Sequence, residues 1–319
     1  MTILTDLRDR TTTWHRPSAY FAGVLAVAAV GCIALLLLDH RTLLGAPIWA
    51  KPFKFAISGS LYFFTWSWLV SLLPRFRRGA GIATDAALVL FGGEYVLIVF
   101  QAVRGRASHF NNATPFDAAL FQVMGVMVAA IWVATLVLTV LLMFSRIADR
   151  ATYWAVRTGA VVSLIGAGLG ALMVGPTPQQ SASLKATGMS DLVGAHSVGV
   201  ADGGPGLPLL GWSTTGGDLR IPHFIGMHAL QALPLLAFSL GLLATRLPRL
   251  RESAVRTRLV WVGSAGYAGL VALVTWQAER GESLVHPGGA TLTALALLVG
   301  AVALGGLVAV HRPARELAR

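Results

Sequence analysis

Two polar stretches interrupt an otherwise apolar chain. One is EYVLIVFQAVRGRASHFNNATPFD, from Glu94 to Asp117, and the other is GDLRIPHFIGMHALQ, from Gly217 to Gln231. Between them they hold His109, His223 and His228 beside Glu94 and Asp218. Imidazole and carboxylate are the side chains that exchange protons near neutral pH and that ligate zinc, iron or copper. No HExxH pattern accompanies them, and the chain has a single cysteine, Cys32. His223 and His228 are five apart, roughly 140° around a helix, so one helix does not offer them as a same-face metal pair. A metal centre must therefore be assembled between elements, with Glu94, His109 and His228 as its ligands; a haem bound by these histidines is the weaker variant. Hydrogen-bonded structural histidines are the plainer alternative. His228 and Gln231, at i and i+3, share a helix face.

The elements that position these groups are membrane helices. The chain is 55% hydrophobic and 12% charged, with a mean hydropathy of +0.68, well outside the range of soluble domains. Eight apolar runs can be read, at 19–38, 55–74, 82–103, 117–144, 152–175, 222–245, 259–278 and 290–311, each near the roughly 20 residues that cross a bilayer. The fold expected is an all-α polytopic transmembrane bundle of about eight spans, forming a single domain over residues 1–319. The polar amino terminus and the long first run predict an anchor rather than a cleaved signal peptide.

Charge orients the bundle. With the amino terminus cytoplasmic, the inner segments carry Arg8, Arg10, Arg16, Arg75, Arg77, Arg78, Arg146, Arg150, Arg157, Arg246, Arg249, Arg251, Arg256, Arg258, Arg312, Arg315 and Arg319, which are 17 of the 25 basic residues. Both termini are then inside, in the plasma (inner) membrane. Six acidic residues share that side and eight face eight basic residues outside, so the inner half carries the whole net charge of +11. The high pI reports topology and anionic lipid at the inner surface, not a nucleic-acid partner.

On this topology both polar stretches lie at the outer face. Glu94 precedes Arg104 by ten residues, which places it about 15 Å deep, near the bilayer midplane. A carboxyl there must be protonated, hydrogen-bonded or paired, and marks a functional position. Glu94, Gln101 and Arg104 follow one helix stripe towards the outer mouth; a structural hydrogen-bond network is the alternative. Gly105 can end its helix in the left-handed region, and Thr114, Pro115 and Asp117 read as the start of the next. His109, Asn111 and Asn112 have no such role and are better placed to contact a ligand. In the second stretch, Asp218, Arg220, His223, His228 and Gln231 are the candidates. Trp49, Lys51 and Lys54 in WAKPFKF read as interfacial anchors, or the deeper Lys54 forms, with Arg104, Arg220 and Arg280, an anion-binding rim for a lipid phosphate or carboxylate. The loop at 176–220, rich in glycine but with no strand before it, is expected to be a cap over the mouth with Leu207–Trp212 as an apolar plug, rather than a phosphate-binding loop; a solvated spacer is the alternative.

FQAVRG (Phe100 to Gly105) recurs as WQAERG (Trp276 to Gly281), 176 residues on, which adds Gln277 and Arg280 to the candidates. The same offset aligns the basic loops and predicts a 4+4 parallel repeat with halves 19–144 and 152–311.

RGRASHFN followed by TPFD, with GGPGLPLLGWSTTGGDLRIPHFIGMHALQ, resembles an uncharacterised bacterial, mainly actinobacterial, family of multi-pass membrane proteins. The resemblance runs from Pro47 to Gln231 and reaches WQAERG. It implies an eight-helix membrane fold and carries neither an activity nor residue roles. Three functions stay open. The outer pocket binds a small ligand, lipid or metal without an assignable reaction; or the chain is a secondary transporter or channel coupled through Glu94; or it is a metal-dependent membrane enzyme acting on an apolar substrate.

Overall fold

The computed structural model describes residues 13–311; Arg8, Arg10, Arg312, Arg315 and Arg319 of the inner charge cluster lie outside the described residues. Ten helices account for almost all of the regular structure: α1 (Arg16–Leu38), α2 (Ala50–Ser71), α3 (Arg77–Val103), α4 (Pro115–Met143), α5 (Arg150–Gly168), α6 (Pro178–Thr187), α7 (Arg220–Met227), α8 (Ala229–Leu243), α9 (Ser253–Glu279) and α10 (Gly289–His311). Two minimal hairpins, Thr42–Leu43 with Ala46–Pro47 and Ser197–Val198 with Gly217–Asp218, lie between them. Among the described residues, six helices are long and apolar enough to cross a membrane, or seven if α7 and α8 together form one bent span. The protein is an integral membrane protein built as a helical bundle.

Helix ends follow local chemistry. Thr114 accepts a hydrogen bond from the Asp117 N–H and starts α4; Asp149 does the same for Thr152 in α5. Gly105 and Gly281, at φ 69° and 72°, reverse the chain after α3 and α9. The run expected as one span at 222–245 is instead bent by 44° at His228. Neighbours draw carbonyls out of its ladder: Ser163 Oγ donates to Met227 O at 2.7 Å and Tyr267 OH to Ile225 O at 2.6 Å. Side chains inserted in this way, with Pro234 nearly two turns further on, explain the bend.

α1 to α4 pack as one group, and α5 with α7 to α10 as another. At the arginine-rich end the groups meet through Trp66, Leu69, Leu138, Leu142, Val156 and Leu230, all 0–1% exposed. At the opposite end the groups part, and the loops cover the gap. The long loop, expected to lack regular elements, contains α6, started by a complete capping box at Thr177 and Gln180.

Candidate functional site

A cavity of about 1090 Å³ occupies the gap at the loop end, walled by α2, α3, α4, α5 and α7. Its depth is apolar and aromatic, with Phe55, Phe91, Phe121, Met124 and Trp132 in the wall. Tyr62 and Thr135 line it too, joined by a 2.7 Å hydroxyl–hydroxyl bond between α2 and α4. The upper part is polar, lined by Lys51, Lys54, Glu94, Arg106, His109, His196, Asp202, Arg220 and His223.

Glu94 is 1% exposed, and neither of its carboxyl oxygens has a hydrogen-bond partner. Its nearest titratable neighbour is His109, with Nε2 3.7 Å from Oε1. His109 Nδ1 is 3.1 Å from Ser108 Oγ, and its ring sits among Phe55, Phe110 and Phe121. Burial, followed by the charges of Lys51, His196 and His223, holds the His109 imidazole well below its ordinary range.

The second histidine of the polar end belongs to a pair on the cap. His196 Nδ1 is 2.7 Å from Asp202 Oδ2, and Asp202 also accepts the backbone N–H groups of His196 and Ser197. Burial lowers the His196 imidazole more than its Asp202 bond raises it. Burial alone would push Asp202 up, but the hydrogen bond and charge of His196, with the two backbone donors, hold it below the usual carboxylate range. At neutral pH the contact is therefore a neutral ring N–H donating to a carboxylate, which leaves Nε2 with its lone pair.

His223, on α7, shares its Nδ1 proton with Gly166 O at 2.9 Å, where Gly166 and Gly226 let α5 and α7 touch backbone to backbone. Arg220 is held by Asp218, which also accepts the Ser213 N–H. Lys54 donates to Leu210 O at 2.7 Å and so clips the cap to α2. Leu207 and Leu209 of the expected plug do line the cavity. Among the described residues, the three non-glycine residues at positive φ, Leu44 (49°), Phe110 (61°) and Leu209 (62°), all line it as well. Conformations this uncommon for bulky side chains persist only where surrounding contacts enforce them. Around Phe110 those contacts are the Val193 N–H to Phe110 O bond at 2.9 Å and the Asn111–Leu192 bridge.

Of the pocket candidates read from the sequence, Glu94, His109, Arg220 and His223 line the cavity. Gln101 and Arg104 turn instead to Asp117, at 3.0 and 2.8 Å, so the stripe from Glu94 to the mouth ends in a helix-start network between α3 and α4. Gln277 and Arg280 close the end of α9 on Ser283 O and Glu282. Asn111 braces its own loop, donating to Ala107 O and accepting the Ala113 N–H. Asp218 acts through Arg220. His228 and Gln231 bond to one another at 3.2 Å, and Gln231 reaches Thr65 on α2, away from the cavity. The trio Glu94, His109 and His228 is accordingly not gathered. Among the described residues no group of three or more His, Cys, Asp or Glu is arranged to hold a metal ion. The bend at His228, invisible in the hydrophobic pattern, is what turns that imidazole away.

The His196–Asp202 pair was missed in the sequence reading. It lies in an irregular loop whose only signal is a histidine and an aspartate separated by Ser-Val-Gly-Val-Ala. Lys51, expected as an interfacial anchor, lines the cavity. No protein family, curated protein or solved structure matches the chain.

Proposed function

We propose that the chain is an eight-span plasma-membrane protein whose outward-facing cavity binds a small amphiphilic molecule or lipid, with no reaction assigned. The observation that carries this reading is the division of one large cavity into a deep aromatic part and an upper ring of titratable side chains. Ligand pockets are mostly apolar with a few converging polar groups, and about 1,000 Å³ is the upper end of their usual size. The eighth span is α2, which is less apolar than the others because of its serines, Thr65 and two lysines. It runs antiparallel along all of α1: Ser67 meets His15 at one end, Ser60 donates to Ala22 O midway, and Trp49 reaches Asp39 at the other. A partner that spans with α1 must span too. The arginine-rich end is cytoplasmic and the cavity opens on the other side.

A brominated eighteen-carbon amphiphile tests the cavity. It should quench that part of the fluorescence which Trp132→Phe removes, and Ala129→Phe, which fills the wall beside it, should abolish that quenching. Quenching that persists in Ala129→Phe, or that never involves Trp132, overturns the reading.

A second reading, secondary transport, is favoured by one observation: the cavity lies between two groups of helices closed only at the arginine-rich end. The two groups also share local design. In both, the glutamine side chain donates to the carbonyl six residues on, Gln101 to Ala107 and Gln277 to Ser283. Arg104 and Arg280 each lie over the aromatic ring four residues earlier, and Gly105 and Gly281 close the turns. These matches support a 4+4 repeat. Transport predicts uptake of the amphiphile into proteoliposomes driven by a pH gradient and lost in Glu94→Gln; uptake unchanged by that substitution removes the coupling role.

A further inference from the structure

We infer that the cavity selects amphiphiles with an anionic head, a carboxylate or a phosphate monoester, and that Lys51 is the residue that selects it. The inference rests on the cavity being a ligand site and adds the chemistry of the head.

Lys51 lies in the first turn of α2, half-buried, and lines the cavity. Among the described residues its ammonium makes no hydrogen bond and no ion pair. The charged groups within its electrostatic reach are Lys54, Glu94, Arg220 and Asp202. Each of these except Glu94 is already engaged: Lys54 on Leu210 O, Arg220 on Asp218, and Asp202 on His196. Glu94 comes within 4 Å of His109 but not of Lys51. An ammonium has three donors and no acceptor. With no partner among the described residues, those donors are free to meet an acceptor on a ligand in the cavity.

An anionic head bound at Lys51 sits at the polar end of the cavity, beside the aromatic wall that begins at Phe55, one turn along the same helix. A head there meets the Lys51 ammonium directly. Ser108 Oγ and the His196 ring line the same space as hydrogen-bonding groups. The tail runs down the wall past Phe91, Phe121 and Trp132. A cationic head would face Lys51, Lys54 and Arg220, while Asp202 is taken by His196 and Glu94 is buried. A neutral head would leave Lys51 as it is.

The test measures affinity in neutral detergent for sixteen-carbon chains with a carboxylate, phosphate, methyl ester or trimethylammonium head, and for inorganic phosphate alone. The carboxylate and phosphate should bind at least about 30-fold more tightly than the ester, the factor expected for a charge-assisted contact out of water, and the ammonium most weakly. Lys51→Gln should reduce that ratio to near one while the ester's own affinity stays the same; Lys51→Arg should preserve it. Because Lys51 has no partner to lose, both variants should melt with the wild type, and Lys51→Met serves should Lys51→Gln fail to fold. Equal binding of ester and carboxylate by the wild type overturns the inference but leaves the amphiphile site standing. A preference that survives Lys51→Gln and Lys51→Met assigns the head to another cation and also overturns it. Inorganic phosphate binding as tightly as the alkyl phosphate shows that the tail is irrelevant, which defeats both the inference and the reading beneath it.

Discussion

Gly166→Ala offers a sharp test of how α5 and α7 hold the cavity wall. A Cβ at Gly166 would lie 2.3 Å from the Gly226 carbonyl carbon and 2.4 Å from both Gly226 Cα and Met227 N. Carbon atoms rest at about 3.5–4.0 Å, so the helices must separate by roughly 1.2–1.7 Å, and a gap of half that size already forfeits a quarter to a half of each dispersion contact. The same displacement stretches the His223 Nδ1–Gly166 O bond from 2.9 Å and the Ser163 Oγ–Met227 O bond from 2.7 Å beyond hydrogen-bonding range. Overpacking costs about 1–3 kcal/mol and two net hydrogen bonds about 1 kcal/mol each, against a helix-propensity gain of about 1 kcal/mol for replacing glycine. The clash wins, and a destabilisation of about 2–4 kcal/mol follows. Gly31 on α1 is the control, since nothing lies within 4 Å of its Cβ position. Gly31→Ala keeps only the propensity term and should be neutral or stabilising by up to about 1 kcal/mol. Unfolding in mixed micelles, scanned at one rate for all variants, gives the comparison, and amphiphile quenching of Trp132 reports the wall. The reasoning is refuted if Gly166→Ala is as stable as Gly31→Ala, because the backbone contact then does not hold α5 against α7.

Three other outcomes are expected. The imidazoles of His109 and His196 are lower in the folded than in the unfolded chain, so the unfolded state takes up protons first. Their contribution is complete above about pH 6.5, the unfolded value, and falls with acidification until the lowered folded values are reached. The unfolding midpoint should therefore drop between pH 7.5 and 5.5, and drop less in His196→Gln; a midpoint that rises on acidification contradicts the assignment. Asp117→Ala removes the acceptor of Gln101, Arg104 and Thr114 at once; because Arg104 is partly exposed the loss should be about 3 kcal/mol, with Asp117→Asn milder, as read from the same melts. Asn111→Ala removes two loop-bracing bonds and should cost about 1–2 kcal/mol while leaving amphiphile affinity unchanged; a loss of affinity at unchanged stability would instead make Asn111 a ligand contact.

Much of the architecture was legible along the chain, because a membrane imposes its demands locally. Every span must satisfy its own backbone and present apolar side chains over its whole length, and these requirements can be read from sequence without knowing any neighbour. Helix ends were legible for the same reason: Thr114 and Gly105 act on residues within one turn of themselves. Glu94 stood out because an ionisable group inside an apolar run is exceptional wherever its helix points. Only the tertiary structure decided which polar groups share a space. Gln101 and Arg104, correctly placed on the Glu94 face, are drawn to Asp117 of the next helix rather than to the mouth. His228 is turned away by a bend that Ser163 and Tyr267 impose from other helices. His196 and Asp202 meet through the path of an irregular loop with no period to betray it, and Lys51 becomes a cavity residue only because the two helix groups part above their common core. Periodicity and capping are short-range effects and appear in a short-range pattern; a site built between helices depends on contacts distant in the chain, which no pattern of neighbouring residues encodes.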